Sequence, residues 1–182
     1  MAMDTSPRTY RFIAADILTS GYRIVGKVMA TAHGVMGMVN DNTHSALEIN
    51  DARLARLHMP TKLADHFELV RMMKRQIHMI CLGRREDLGP QAMVRGGYNK
   101  VVEYPVRMTT QMFEIEGVME LPGRFDFTSM MAEGSREFIP LFNTVVTAIL
   151  IPNLRVESAT VLINRGKIDL VALLNQRVKP EV

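Results

Sequence analysis

Two segments of this chain, separated by 91 positions, carry the same alternation of apolar and polar residues. The first is YRIVGKVMA, which begins at Tyr22, and the second is FEIEGVMEL, which begins at Phe113. Alternation with a period of two predicts a β-strand with one buried face and one wet face. In both segments a glycine falls on the apolar face, Gly26 in the first and Gly117 in the second. The repeated pattern limits the chain to β-rich folds and favours internal copies.

When the two halves are aligned at this offset, residues 16–29 match residues 107–120, and Thr19 matches Thr110. Each segment is typical of a hairpin, and a glycine inside a strand marks a sharp bend or a close backbone approach. Pro105 has no N–H to donate, so its strand is predicted to be an edge strand or to begin at an edge. We predict a mainly β fold: two tandem copies of a small, strongly bent β-barrel or sheet, with one or two short helices.

The later parts of the two halves correspond less closely. SALEINDARLARL matches REFIPLFNTVVTAI at an offset of 92, which places Asp51 over Asn143. IHMICLGRRED resembles TVLINRGKIDL at an offset near 82, so about ten extra residues are predicted in the first half. The surplus falls in LADHFELVRMMKR, where Phe67, Val70 and Met73 recur at helical spacing. A polar hairpin extension fits this segment as well.

The predicted first repeat spans residues 9–90, with the helical or hairpin insertion near 63–75, and the second repeat spans residues 100–176. Residues 1–8 and 177–182 are predicted to be flexible termini. The boundary between the repeats carries four chain breakers: Gly89, Pro90, Gly96 and Gly97.

A longer connection follows the second predicted strand in each half. The later one, PGRFDFTSMMAEGS, is predicted to form a short helical turn. Asp126 or Thr128 would open this turn and Gly134 would close it.

The net charge of +3 comes from 22 basic and 19 acidic side chains, and the first half carries the whole excess. Binding a polyanion through counterion release needs a concentrated basic patch, which a surplus of three does not supply. One local concentration exists, made of Arg71, Lys74, Arg75, Arg84 and Arg85. It is interpreted either as a solvated basic face or as a phosphate-binding surface.

Catalytic signatures are missing from the sequence. Cys81 is the single cysteine and lies in the apolar run IHMICL, which predicts a buried, unreactive thiol. None of the five histidines forms the helical zinc-hydrolase motif, and neither a phosphate loop nor a nucleophile elbow is present. We therefore expect no catalytic residues, no metal site and no cofactor.

The N-terminal residues MAMDTSPRTY lack a basic stretch followed by an apolar core, so no signal peptide is predicted. The apolar runs are too short to cross a bilayer as helices. The expected location is the cytoplasm.

Methionine is abundant, with 15 residues, and tryptophan is absent. Thioether side chains fill irregular gaps in cores, and they also form adaptable contact surfaces. The pairs in the long connections are the candidates for a protein interface: Met36 with Met38, and Met130 with Met131.

The order of these signals resembles the Sm-like family of small, bent β-barrels. FEIEGVMEL followed by IPLFNTVVTAI is similar to that family's first motif, and VLINRGKIDLVAL is similar to its second. The matching positions are Gly117, Asn143, Arg165 and Gly166, together with Gly26 and Asp51 in the first half. The resemblance implies ring formation through edge strands and, in many members, RNA held near the Asn/Asp and Arg-Gly turns. The first half departs from the pattern, because LGRRED is a poor copy of the second motif.

Three functions are consistent with the sequence. The first is a non-catalytic assembly or adaptor subunit that binds a protein partner, itself or both. The alternative is an Sm-like nucleic-acid-binding module that uses Asn143, Arg165 and Gly166 with the basic cluster Arg71, Lys74, Arg75, Arg84 and Arg85. The third is a small-molecule sensor whose pocket lies between the halves.

Overall fold

The computed structural model describes residues 10–92, 100–132 and 136–176. In these residues the chain forms a mainly β fold, as predicted, with ten antiparallel strands in one sheet. The first five are β1 (Arg11–Leu18), β2 (Tyr22–Ala30), β3 (Ala46–Arg56), β4 (Leu63–Met73) and β5 (Met79–Leu82). The second five are β6 (Val101–Thr109), β7 (Phe113–Pro122), β8 (Phe138–Ala148), β9 (Arg155–Asn164) and β10 (Leu170–Leu173).

Two short helices complete the fold, α1 (Gly34–Val39) after β2 and α2 (Phe127–Ala132) after β7. The prediction that Asp126 opens the second is confirmed, because its carboxylate accepts hydrogen bonds from the backbone N–H groups of Thr128 and Ser129. Gly134, Gly96, Gly97 and the terminal segments 1–8 and 177–182 lie outside the described residues.

The strands are ordered β10-β6-β7-β8-β9-β5-β1-β2-β3-β4 across the sheet. The first five strands occur in the order β5-β1-β2-β3-β4, and the second five occur in the same relative order. The central pair is β5 with β9, which joins the two halves of the chain. β4 and β10 are the two ends of the sheet, and neither pairs with the other.

Both predicted bends are present. The pairing of β2 with β3 shifts at Gly26, and the pairing of β7 with β8 shifts at Gly117. The extra residue opposite each glycine is Asp51 (φ 51°) or Asn143 (φ 49°), and both adopt the left-handed region. Asp and Asn tolerate that region better than other residues with a side chain, which explains their place in the bulges.

Of the two alternatives for residues 63–75, a helix or a hairpin, the helix is wrong. Leu63–Met73 forms strand β4, which pairs with β3 along its length, and a short 3-10 turn follows at Lys74–Gln76. In the second half, β9 and the 3-10 turn Arg165–Lys167 follow β8 in the same order.

The offset near 82 between IHMICL and TVLIN differs from the offset at which the strand registers repeat. β5 lies 91 positions before β10, and Ala15 opposite Leu82 is matched by Val106 opposite Leu173. The two segments look alike because MICL and VLI are both continuous apolar runs. MICL pairs with residues 160–163, and a strand buried on both faces loses its alternation.

Pro105 lies in β6, which pairs with β7 along its length. β10 covers only Val106–Thr109 on the other side of β6. At Pro105 the strand therefore has a free edge, as the missing N–H requires.

Candidate interaction surface at the open sheet edges

The junction between β5 and β9 is the only place where strands of the two halves pair within the described residues. Met79 lies opposite Ile163, and Leu82 lies opposite Thr160. All four side chains are almost completely buried. The pairing therefore continues the sheet from one half into the other with no exposed edge between them.

Side chains of the junction alternate between two hydrophobic cores. Ile80, Leu82 and Leu162 belong to the core of the first half, whereas Met79 and Ile163 belong to the core of the second half. Leu18, Leu57 and Cys81 also join the second core, although they come from the first half. Each half therefore completes the core of the other.

Polar contacts hold the two ends of the junction. The Asn164 side chain donates to the carbonyl oxygen of Ile77 at 3.0 Å, and the Asn164 backbone N–H donates to that of His78 at 2.9 Å. Ser158 Oγ donates to the carbonyl oxygen of Leu82 at 2.8 Å. Donors on β9 thus satisfy carbonyl groups at both ends of β5.

β4 forms one open end of the sheet. It is 11 residues long, and among the described residues it pairs only with β3, so one row of its backbone N–H and C=O groups has no strand partner there. Leu63, Phe67, Leu69 and Met73 are exposed along it. A long, apolar edge strand of this kind readily pairs with another chain.

β10 forms the other open end, next to β6. Leu170 is exposed on it, and Ile149 and Leu150 are exposed in the turn between β8 and β9. This end therefore also presents aliphatic side chains beside unpaired backbone.

By strand register, the exposed residues at the two open ends of the sheet correspond to residues that are buried at the junction. Leu170 is 47% exposed, whereas Met79, which makes the same pairing in the first half, is 0% exposed. Ile149 is 43% exposed, and its counterpart Leu57 is 3% exposed. The backbone confirms this second match, since Leu57 N–H donates to Gly21 O and Ile149 N–H donates to Met112 O.

β4 and β9 differ in the same way. Leu69 is 38% exposed, whereas Thr160, its counterpart by strand pairing, is fully buried. Met73 is 40% exposed, and its counterpart Asn164 is 6% exposed. The sequence analysis did not identify these edge residues as a surface. Aligning the two halves at an offset of 91 over β4 and β5 was the signal that could have found them.

Lys74 of the predicted basic cluster has a structural role. Its side chain is buried, and its Nζ donates to the carbonyl oxygens of Met38 at 2.9 Å and Asp41 at 2.8 Å. Burial away from water lowers the pKa of the Lys74 ammonium. Lys74 therefore anchors the end of α1 and offers no charge to a phosphate.

The other cluster members are mostly ion-paired. Arg71 pairs with Glu48 at 2.9 Å, and Arg84 pairs with Asp87 at 3.1 Å. Arg85 pairs with Glu120, and its guanidinium also lies 3.9 Å from the ring centre of Phe142. Arg75 is exposed. Most of the predicted phosphate footprint is thus neutralised by the chain itself.

The structure does not bring Asn143 and Arg165 together. Asn143 lies in the bulge of β8, whereas Arg165 follows Asn164, which is paired with Phe138 at the start of β8. Five residues of strand separate Asn143 from Phe138, a distance of about 16 Å. Gly166 is exposed beside Arg165, and its N–H donates to the Asn164 side chain. The nucleic-acid alternative stays a prediction.

The predicted methionine surface is only partly exposed. Met36 is fully buried in the core of the first half, so its side chain is not exposed on the single chain. Met38 and Met130 are half-buried and pack against the two cores, and Met131 is also half-buried. Helix packing explains these side chains better than an interface does.

One cleft of about 280 Å³ opens where the halves meet. The first half contributes Asp41, His44, Lys74 and Arg75 to its walls, and the second half contributes Glu137. Opposite charges line this cleft, and the Lys74 ammonium is already satisfied by backbone carbonyls.

Other chemistry is limited in the described residues. Burial raises the pKa of the Cys81 thiol, so it stays protonated and unreactive. No group of three or more His, Cys, Asp or Glu side chains there could hold a metal ion. No helix in that part of the chain is long and apolar enough to cross a membrane.

Comparisons with known proteins find no relative. No protein family model matches the sequence, and no curated protein or solved structure is significantly similar to it.

Proposed function

We propose that the chain is an assembly subunit, made of two copies of one five-stranded unit, that binds further copies of itself end to end. The strand registers support the duplication. Asp16 lies opposite Cys81 in the first half, and Arg107 lies opposite Ala172 in the second half, at the same offset of 91. Both halves also place a glycine and a left-handed Asp or Asn at the same bulge.

One observation carries the assembly proposal. The apolar side chains exposed at the two open ends, Leu69 and Met73 on β4 and Ile149 and Leu170 at the other end, are counterparts of residues that the internal junction buries. Exposed apolar surface beside an unpaired strand edge is a ready template for pairing. The two open ends of the sheet thus resemble the two strands that pair at the internal junction.

The internal register specifies the contact between copies. β4 of one copy pairs antiparallel with β10 of the next, with Met72 opposite Leu170 and Leu69 opposite Leu173. This follows from Ile163 opposite Met79 and Thr160 opposite Leu82 within the chain. The two contact surfaces differ, so the association is head-to-tail and yields a closed ring or an open filament.

Charging either end tests the proposal. Leu69→Lys and Leu170→Lys alter side chains that the single chain leaves exposed, so each variant should fold normally. In the assembly each lysine would be buried against the next copy, and both variants should be monomeric under conditions in which the wild type associates. Light scattering on the purified proteins measures this.

Phe12→Lys is the matched control, because Phe12 is exposed on β1, away from both open ends. The control should associate like the wild type. Equal association of all four proteins, or a wild type that is monomeric at every concentration, would reject the proposal.

A further inference from the structure

The open edge at β4 differs from the internal junction at one charged position. Leu162 of β9 is fully buried in the core of the first half, and its cross-strand neighbour is Pro140. Arg71 stands at the counterpart position on β4, and its cross-strand neighbour is Glu48. An apolar pair at the internal junction is thus an ion pair at the edge.

The ion pair is formed and exposed in the single chain. Arg71 Nε donates to Glu48 Oε1 at 2.9 Å, and the two side chains are 68% and 52% exposed. Removing an ion pair from water costs more free energy than its own attraction returns, unless further hydrogen bonds satisfy it. Val171, which would lie opposite Arg71, offers no polar side-chain atom.

We propose that the Glu48–Arg71 pair holds the contact between copies weaker than the junction inside the chain, so that assembly is reversible. The inference rests on the end-to-end assembly proposed above. Charged residues on edge strands limit pairing with other chains in many β proteins. Here the same pair leaves the edge usable, because the apolar residues Leu69 and Met73 flank it. Arg71 is therefore a determinant of assembly strength.

The test replaces the pair in the full-length chain. The double variant Glu48→Leu/Arg71→Leu removes both charges and restores an apolar pair, as at the internal junction. Sedimentation velocity over a concentration series should show association about tenfold tighter or more than in the wild type. The single variant Glu48→Gln leaves the Arg71 charge without its partner and should associate more weakly than the wild type.

A second exposed ion pair supplies the control. Arg155 pairs with Glu157 at 3.2 Å on β9, an interior strand that is remote from both open ends of the sheet. Arg155→Leu/Glu157→Leu adds similar apolar surface and should leave the association constant unchanged. Equal tightening in this control would overturn the inference, because it would show general surface stickiness.

The outcomes separate this inference from the assembly proposal. If the wild type associates and the Glu48/Arg71 double variant associates equally or more weakly, the ion pair does not limit assembly and the inference fails alone. If neither protein associates at any concentration while circular dichroism shows both folded, end-to-end assembly fails as well.

Discussion

Asp51 and Asn143 are the two non-glycine residues with positive φ in the described part of the chain, and each lies opposite a buried glycine. A Cβ on Gly26 would lie 2.6 Å from Ile49 Cγ2 and 2.8 Å from Asn50 O. A Cβ on Gly117 would lie 2.8 Å from Thr144 Cγ2 and 3.0 Å from Phe142 O. The bends thus depend on glycine because the neighbouring strand approaches too closely for any side chain.

Gly117→Ala should therefore destabilise the fold. We expect a loss of about 1–3 kcal/mol in the free energy of unfolding, typical of overpacking in a core. Urea denaturation followed by circular dichroism measures it. Gly83→Ala is the control, since a Cβ there meets nothing within 4 Å. Equal stability of Gly117→Ala and the wild type would show that β8 can move away from the bend.

At the scale of strands, the hairpins β1–β2 and β6–β7 could be predicted because each has one buried and one wet face. β4 could not, because its free edge leaves both faces largely exposed and its apolar residues at 67, 70 and 73 imitate a helix. β5 and residues 160–164 of β9 are buried on both faces, so their composition hides which half each belongs to. The open edges can be located only once β4, β5 and β9 are correctly assigned, so the sequence did not predict the candidate surface.

A buried histidine, His78, immediately precedes the junction strand β5. The ring of His78 packs edge-on against Phe113, and its Nδ1 has no hydrogen-bond partner. Burial lowers the pKa of His78; the Lys167 charge lowers it further, and the Asp169 carboxylate opposes both. The folded state therefore favours the neutral ring.

Because the folded pKa of His78 lies below the unfolded value of about 6.5, its contribution is complete above that pH. The free energy of unfolding should fall as the pH drops through 6.5 towards the folded pKa. His78→Met, an apolar replacement, should flatten this part of the profile. Urea denaturation between pH 7.5 and 5 compares the two proteins, and parallel profiles would show that His78 does not contribute.

At the scale of the whole molecule, the sheet has one junction between the two halves, β5 with β9, and two open ends, β4 and β10. Each half completes the other's core, with Leu57 and Met79 crossing in one direction and Phe138 and Leu162 in the other. The terminal strands β4 and β10 have no such complement among the residues that the structure describes. The end-to-end association proposed above would supply it with no new structural element.

Mixing the two end variants tests this claim most directly. Leu69→Lys blocks the β4 end and Leu170→Lys blocks the β10 end, so each protein alone should have the monomer mass of 20.5 kDa. An equal mixture still contains one intact β4 and one intact β10, on different chains. Light scattering should therefore find a one-to-one dimer in the mixture and nothing larger. A mixture that stays monomeric while the wild type associates, or a single variant that dimerises alone, would contradict head-to-tail pairing of β4 with β10.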